Sequence, residues 1–323
     1  MILAGDVGGT KTILALYQLK GEKWVCSKKI QYASANYGEF KALLSHFLSE
    51  ERNLDLQSVC IGVAGPIEGG DCVTTNLPWV LRRQDIADQT GASYVKLLND
   101  LEATAWGVLE LPDVDFVELN SEAIEKKGNV AVLAAGTGLG EALIVWDEGN
   151  YQVVATEGGH TDFAPRNELE IGLLRYLLKS YPEHVSCERV VCGQGLIDIY
   201  KYLKVIAYAE VDQKVEARIT EDGFAAVISD KNCKLSAKAV ALFCEIYGAE
   251  AGNLALKLLP KAGVVLAGGI AAKNLSNMQT GDFMRGFLAK GRYRQVLKNY
   301  SVKVCLNAEA ALIGGFVIAK KAL

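Results

Sequence analysis

Apolar residues come in short blocks separated by glycine-bearing polar breaks. Ile2 to Gly5 and Thr12 to Tyr17 flank the first break, and the pattern predicts strand, turn, strand. The glycines in that break, Gly8 and Gly9, are expected to turn the chain tightly through positive φ. Val59 to Val63 reads as another buried strand, followed by a loop from Ala64 to Gly70. Val95 to Leu98 is one more, leading into helical spacing over Leu101 to Leu111. Strands alternating with helices predict an α/β fold.

The block VAVLAAGTGLGEALIVW, Val130 to Trp146, repeats the opening logic: an apolar strand, a Gly/Thr turn over Gly136 to Gly140, and an apolar strand returning from Ala142. Helical spacing then dominates, over Leu169 to Lys179, Gly195 to Leu203 and Ser236 to Leu259. A last strand, Gly263 to Ala267, runs into Gly268 and Gly269, and Glu309 to Lys320 reads as an apolar helix packing back on the first part of the chain. The repeat predicts two related lobes joined near Leu111 and Pro112: residues 1–110 with a returning C-terminal helix at 306–323, and residues 111–305.

With 323 residues, 50% of them hydrophobic, the chain can fill the cores of two such lobes. A net charge of −4, with lysines and arginines dispersed, lacks the basic footprint of a nucleic-acid binder. Met1 to Gly5 is too short for a signal sequence and no run of about 18 apolar residues is apparent, so the expectation is a cytoplasmic protein without a membrane partner. Eight scattered cysteines with no C-x-x-C pair read as reduced, mostly buried thiols. Cys187 and Cys192 with His160 make at most part of a metal site, since structural zinc takes four ligands; no protein-held metal is expected.

The loop GTGLGEA invites a dinucleotide reading, but Ala142 to Trp146 after it is strand-like, whereas that fingerprint needs a helix whose N-terminus meets the pyrophosphate. No P-loop motif occurs either. Taken singly, each glycine turn is a plain connector. Two of them plus a late Gly-Gly favour anion nests, in which unshielded backbone N–H groups converge on phosphate oxygens. Thr10 and Thr137 add hydroxyl donors, and Asp6 could hold Mg²⁺ through water. The opening turn thus reads as a site for Mg-nucleotide.

DVGGTKT, AGTGLG and AGGIA together resemble the two phosphate loops and the adenosine loop of the sugar-kinase, heat-shock-protein and actin superfamily. Within it, DVGGTKT, GPI, TNLPW, LLNDLEA, AGTGLGEA, EGGHTDFAP and SCERVVCGQGL, in that order from residue 5 to about 270, resemble bacterial glucokinase, the ATP:glucose 6-phosphotransferase. The resemblance implies two ribonuclease-H-like lobes of the actin-like ATPase type with the active-site cleft between them, and ATP, Mg²⁺ and glucose as ligands. It assigns the nucleotide to Gly5, Asp6, Val7, Gly8, Gly9, Thr10, Lys11, Thr137, Gly138, Gly268 and Gly269, and the sugar to Asn99, Asp100, Glu157, His160 and Glu188. Proteins of this family are often dimers, so a homodimer is among its implications. Related repressor-type kinases carry a Cys-rich zinc loop after E-x-G-H; TDFAPRNELE stands here instead, so zinc is not expected.

Each sugar-site residue also has a structural reading. Asn99 as N-cap with Glu102 three residues into the helix would make a capping box, and Asp100 in the first turn favours the helix dipole. Its functional reading, carried by the resemblance, is the base that takes the proton of the attacking sugar hydroxyl. His160 alone would be structural, yet with Glu157 it can grip vicinal hydroxyls. Ser186 would cap a short helix whose first turn holds Glu188. A kinase of another hexose or N-acetylhexosamine, and a non-catalytic sugar sensor of the same fold, are the alternatives.

Overall fold

The computed structural model describes residues 1–51, 54–124, 126–230 and 232–323. The chain divides into two compact units, Met1–Asp113 with Asn307–Leu323, and Val114–Leu306.

The first unit is built on a five-stranded sheet. β1 (Ile2–Val7) pairs antiparallel with β2 (Lys11–Lys20), which pairs with β3 (Lys23–Ala33). On the other side of β1 run β4 (Ser58–Val63) and, beyond a small sheet of β5 (Ile67–Glu68), β6 (Asp71–Val73) and β7 (Val80–Leu81), the parallel strand β8 (Tyr94–Asn99). The sheet order is β3-β2-β1-β4-β8. Strand side chains alternate between faces, and both faces of the central strands are covered. Leu3, Val7, Val59 and Ile61 pack with Phe40, Leu43 and Phe47 of α1 (Phe40–Leu48) and Ile86 of α2 (Arg83–Thr90). The other parity, Ile2, Ala4, Cys60 and Leu98, packs with Ala103 of α3 (Asp100–Val108) and with Ala311, Leu312 and Ile318 of the C-terminal helix, Ala310–Lys321. Asp6 shares the parity of Ile2 and Ala4, which aims its carboxylate toward the α3 side of the sheet.

Small residues set how closely these helices approach. A β-carbon on Gly107 of α3 would overlap Ala310 O, and one on Gly314 would overlap Ala103 O. Backbone meets backbone at this crossing, so α3 has little room to shift along its axis.

The second unit repeats the plan. β10 (Val130–Ala135), β11 (Leu139–Asp147) and β12 (Asn150–Thr156) form an antiparallel set, and β13 (Gly263–Ala267) and β14 (Val302–Cys305) follow in parallel on the other side of β10, with β9 (Phe116–Glu118) closing the edge antiparallel to β14. The order is β12-β11-β10-β13-β14-β9. Its core also gathers α4 (Glu168–Leu177), α5 (Gly193–Val205), α6 (Gln213–Asp222), α7 (Phe224–Ser229) and α8 (Lys234–Leu258). By length and composition α8 could cross a membrane, but 78% of its most apolar window is buried in this unit, where Phe243 and Tyr247 are fully enclosed. Its apolar character is that of a core helix. Both units thus follow the ribonuclease-H-like plan, an antiparallel trio extended by parallel strands.

Two local expectations change. Glu188 is not in a helix: Ser186 to Val190 form a hydrogen-bonded turn in which Arg189 N–H donates to Ser186 O at 3.1 Å, and the next helix starts at Gly193 behind Cys192, whose Sγ accepts from Gly195 N at 3.3 Å. Asn99 does cap α3, accepting from Leu101 N at 2.9 Å, but Glu102 lies 3.9 Å from Lys96 Nζ instead of closing a capping box.

Candidate active site

In the first unit the parallel strands β1, β4 and β8 end together, since Val7 pairs with Val63 and Val63 with Asn99. The carboxyl ends of parallel strands are where α/β folds bind ligands. The turn after β1 is closed by a Gly8 N–H to Lys11 O bond of 2.9 Å. It is braced from behind: Ser34 Oγ donates to Gly8 O at 2.8 Å, lies 3.0 Å from Thr12 Oγ1, and both hydroxyls are fully buried. Gly5 and Val7 are buried within β1, whereas Thr10 and Lys11 are exposed. Neither Gly8 nor Gly9 adopts positive φ, contrary to expectation. What excludes a side chain is proximity, because a β-carbon on Gly9 would come within 2.9 Å of Asn76 Cβ.

Asp6 stands just before this turn. Burial, then the charge of Asp100, push its carboxyl from 3.8 to about 6, with Lys11 opposing. The two carboxylates therefore sense each other at the junction of β1 and α3. Asp100 opens α3 with Oδ1 2.8 Å from Leu101 N, the same N–H that Asn99 accepts, and Asn99 Nδ2 donates to Gly65 O at 3.3 Å. Among the described residues no three His, Cys, Asp or Glu side chains gather into a metal cage. An acidic pair with one nearby lysine nevertheless suits a hydrated Mg²⁺ that keeps most of its water and takes its remaining ligands from phosphates.

In the second unit, residues remote in sequence converge. Glu157 to His160 form a single 3₁₀ turn and its flank after β12, and the 185–188 segment docks beside it through Glu188 N–H to Gly159 O (2.9 Å) and Cys187 N–H to Thr161 O (2.8 Å). His160 sits between two carboxylates, Nε2 3.8 Å from Glu157 Oε2 and Nδ1 3.9 Å from Glu188 Oε1. Glu188 fixes its other oxygen on Leu139 N at 3.0 Å, at the mouth of the second glycine turn. Gly138 in that turn has no positive φ either; its missing β-carbon leaves room for Glu188 Oε2. Thr137 is exposed there, as are Gly268 and Gly269 after the neighbouring β13. Gly268 alone among these turn glycines needs its left-handed conformation, at φ 83°, with Ala135 O where a β-carbon would crowd.

The candidate residues thus fall into two groups. Asp6, the first turn, Asn99 and Asp100 come together in one unit, and Thr137, Gly138, Glu157, His160 and Glu188 in the other. Sequence reasoning passed over Ser34 and Glu141. A glutamate facing inward on the apolar strand β11 was the signal for Glu141, because a buried carboxylate is costly unless it serves a purpose.

Paired ribonuclease-H-like units with a glycine turn after the first strand of each, and with clustered Asn, Asp, Glu and His side chains, define a sugar kinase of the actin-like ATPase type. The Glucokinase family profile matches residues 3–322. Glucokinase of Nostoc punctiforme is 36% identical over 338 residues, covering 99% of each chain. A crystal structure of glucokinase from an Antarctic psychrotroph superposes with a TM-score of 0.83 at 26% identity, covering 99% of this chain and 98% of that one. A glucokinase of the ROK family from Streptomyces griseus, in complex with glucose and AMPPNP, shares the fold with a TM-score of 0.66 at 18% identity over 99% of both chains. The chain belongs to the glucokinase family and is an ATP-dependent hexose kinase.

Proposed function

We propose that the enzyme transfers the γ-phosphoryl group of Mg-ATP to the 6-hydroxyl of glucose, with Asp100 as general base. The observation that carries this reading is the pairing of Asp100 with Asp6 beside the first glycine turn, which sets a proton acceptor next to a phosphate-sized nest. In the reaction the sugar O6 attacks the γ-phosphorus, its proton passes to the Asp100 carboxylate, and the bond to the β-phosphate oxygen breaks to release ADP. Leu101 N–H donates to the Asp100 carboxylate and holds it at the start of α3.

Backbone N–H groups of the turn after Gly8 and of Thr137 and Gly138 serve the phosphates, with Gly268 and Gly269 toward the nucleoside, while Gly8 N–H closes the turn on Lys11 O. Asp6 would hold Mg²⁺ through water, and the ion when bound neutralises charge on the phosphate oxygens. Asn99, Glu157, His160 and Glu188 bind the remaining sugar hydroxyls. A carboxylate accepts while an imidazole does either, so such a set reads the orientation of each hydroxyl. The complex of the Streptomyces griseus enzyme with glucose and AMPPNP supports both ligands for this chain.

An ADP-release assay over glucose, mannose, fructose and N-acetylhexosamines tests the proposal. Glucose is expected to give the highest kcat/KM. A higher value for another sugar reassigns the substrate, and no turnover with any of them removes the catalytic reading.

A further inference from the structure

Behind the Glu157–His160 segment lies a carboxylate that the phosphoryl-transfer chemistry does not use. Glu141, on β11 opposite Thr156 of β12, is 1% exposed, and its Oε1 has no hydrogen-bond partner. Its side chain runs under Gly158: a β-carbon there would overlap Glu141 Oε2, with Cδ at 3.0 Å and Cβ at 3.2 Å. The same strand position ties the segment by its backbone, since Glu141 O accepts from Thr156 Oγ1 (2.8 Å), which in turn accepts from Gly158 N (3.1 Å). Side chain and backbone of one residue therefore form the seat on which Gly158 rests.

The surroundings of that carboxylate come from α8 and from the turn holding Cys187. Glu250 of α8 is 5% exposed, also has an Oε1 without a partner, and uses Oε2 to accept from Asn253 Nδ2 at 2.9 Å. The Cys187 thiol and the Tyr247 phenol face the same region, and burial pushes both up, so neither ionises near neutrality. The Lys257 charge opposes the acids at Glu141, and Lys290 feels the charge of Glu250. Burial first, then the Glu250 charge, raise Glu141 from 4.5 to about 7. In an enclosed site of this kind the charge of one carboxylate opposes ionisation of the other.

We propose that Glu141 is a positioning residue for the sugar-binding segment: protonated, it seats Gly158 and so sets Glu157 and His160, and its ionisation against Glu250 displaces the segment and weakens glucose binding. The proposal rests on the reading of Glu157 and His160 as sugar ligands. A carboxylic acid occupies this seat as a neutral group, and the charged form demands room or water that the contact with Gly158 does not leave. The effect falls on the KM for glucose more than on kcat, because Asp100 belongs to another unit of the fold.

The test follows glucose KM and kcat of the full enzyme at saturating Mg-ATP from about pH 6.5 to about pH 8.5 in wild type, Glu141→Gln and Glu250→Gln, with Glu157→Gln alongside. Wild-type KM is expected to rise more than about threefold over that range, as ionisation of a group near pH 7 requires. Glu141→Gln, which cannot ionise, flattens the rise, and Glu250→Gln moves it to lower pH because the neighbouring charge that delays ionisation is gone. A flat wild-type profile, an unflattened rise in folded Glu141→Gln, or an unmoved rise in Glu250→Gln overturns the proposal. Glu157→Gln separates the two failures. A wild-type KM in that variant overturns the sugar-site reading and this proposal with it, whereas a raised KM with an unflattened rise in Glu141→Gln overturns this proposal alone.

Discussion

Replacing Asp100 by asparagine should separate its structural and chemical duties by opposite signs. On the structural side little is lost, because Leu101 N–H is accepted by Asn99 Oδ1 as well as by Asp100 Oδ1, at 2.9 and 2.8 Å. An amide at position 100 keeps an acceptor, and only the dipole contribution of a carboxylate in the first turn, about 0.3–1 kcal/mol, is at risk. Against that stands relief at Asp6. Its rise from 3.8 to about 6 means that ionising it in the fold costs about 3 kcal/mol, and Asp100 is the second cause after burial. Removing the Asp100 charge returns part of that cost, so the two effects oppose each other.

The pH dependence carries the same sign information. A carboxyl whose folded pKa is raised favours the fold fully below its unfolded value, and that contribution is lost as pH climbs through the folded one. For Asp6 the window is 3.8 to about 6. In Mg²⁺-free buffer, wild type should lose more stability than Asp100→Asn across that window. Catalysis behaves differently: an amide cannot take the sugar proton, and loss of a general base costs about 10²–10⁴-fold in kcat, or about 3–5 kcal/mol of barrier. Thermal unfolding on both sides of the window and steady-state kinetics check this. A variant that melts early yet keeps more than about a tenth of kcat would refute the reasoning and leave Asp100 as a helix-start residue.

Other expectations come from contacts. Glu157→Gln and His160→Ala should raise glucose KM and narrow the kcat/KM gap between glucose and its epimers, measured over the same hexose panel, because a site built on hydrogen bonds discriminates by leaving polar groups unpaired. Gly138→Ala pushes on the Glu188 carboxylate, so glucose KM should rise together with ATP KM; Gly9→Val, crowding Asn76, should raise ATP KM in a protein that remains folded by circular dichroism. Gly314→Ala drives a methyl group into the Ala103 carbonyl of α3 and should lower stability by about 1–3 kcal/mol or more in denaturant titration, since backbone cannot step aside as a side chain can.

β1, β2, β4, β8, β10, β11 and β13 were legible as apolar runs, but Gly263–Ala267 is not the last strand, since the four-residue interior strand β14 (Val302–Cys305) follows it and is too short to show a pattern. β3 was not legible: KWVCSKKIQYA is largely exposed at the sheet edge, and its lysines hide the alternation. β12 was missed for the same reason, with an exposed, interrupted pattern over Asn150–Thr156. At the site, Asn99 and Asp100 could be placed at a strand-to-helix junction because the chemistry of a cap is local. Glu188 could not, since its turn is held by Gly159 and Thr161, which lie far away in the chain. The turn glycines were found for a wrong reason. Gly9 and Gly138 are small to admit a neighbour, not to reach positive φ, and that distinction depends on Asn76 and Glu188, which no local pattern brings alongside.

Each unit buries an acid beside a turn, and the difference between the two explains their different proposed duties. Asp6 in the first unit is raised by burial and by Asp100 against the opposing charge of Lys11, and reaches about 6, so at neutral pH it is mostly ionised and suited to an incoming cation. Glu141 in the second unit is enclosed, faces Glu250, and reaches about 7 with a partnerless oxygen, so near neutrality it retains much of its proton and behaves as a packing element. Val at position 250 would remove the like charge while keeping the site dry, leaving burial as the main cause of the shift. Because burial is the larger cause and the Glu250 charge the second, the pH profile of glucose KM in Glu250→Val is expected to move part of the way to lower pH; an unmoved profile would remove Glu250 from the argument, and one moved far below neutrality would assign the shift mainly to the pair.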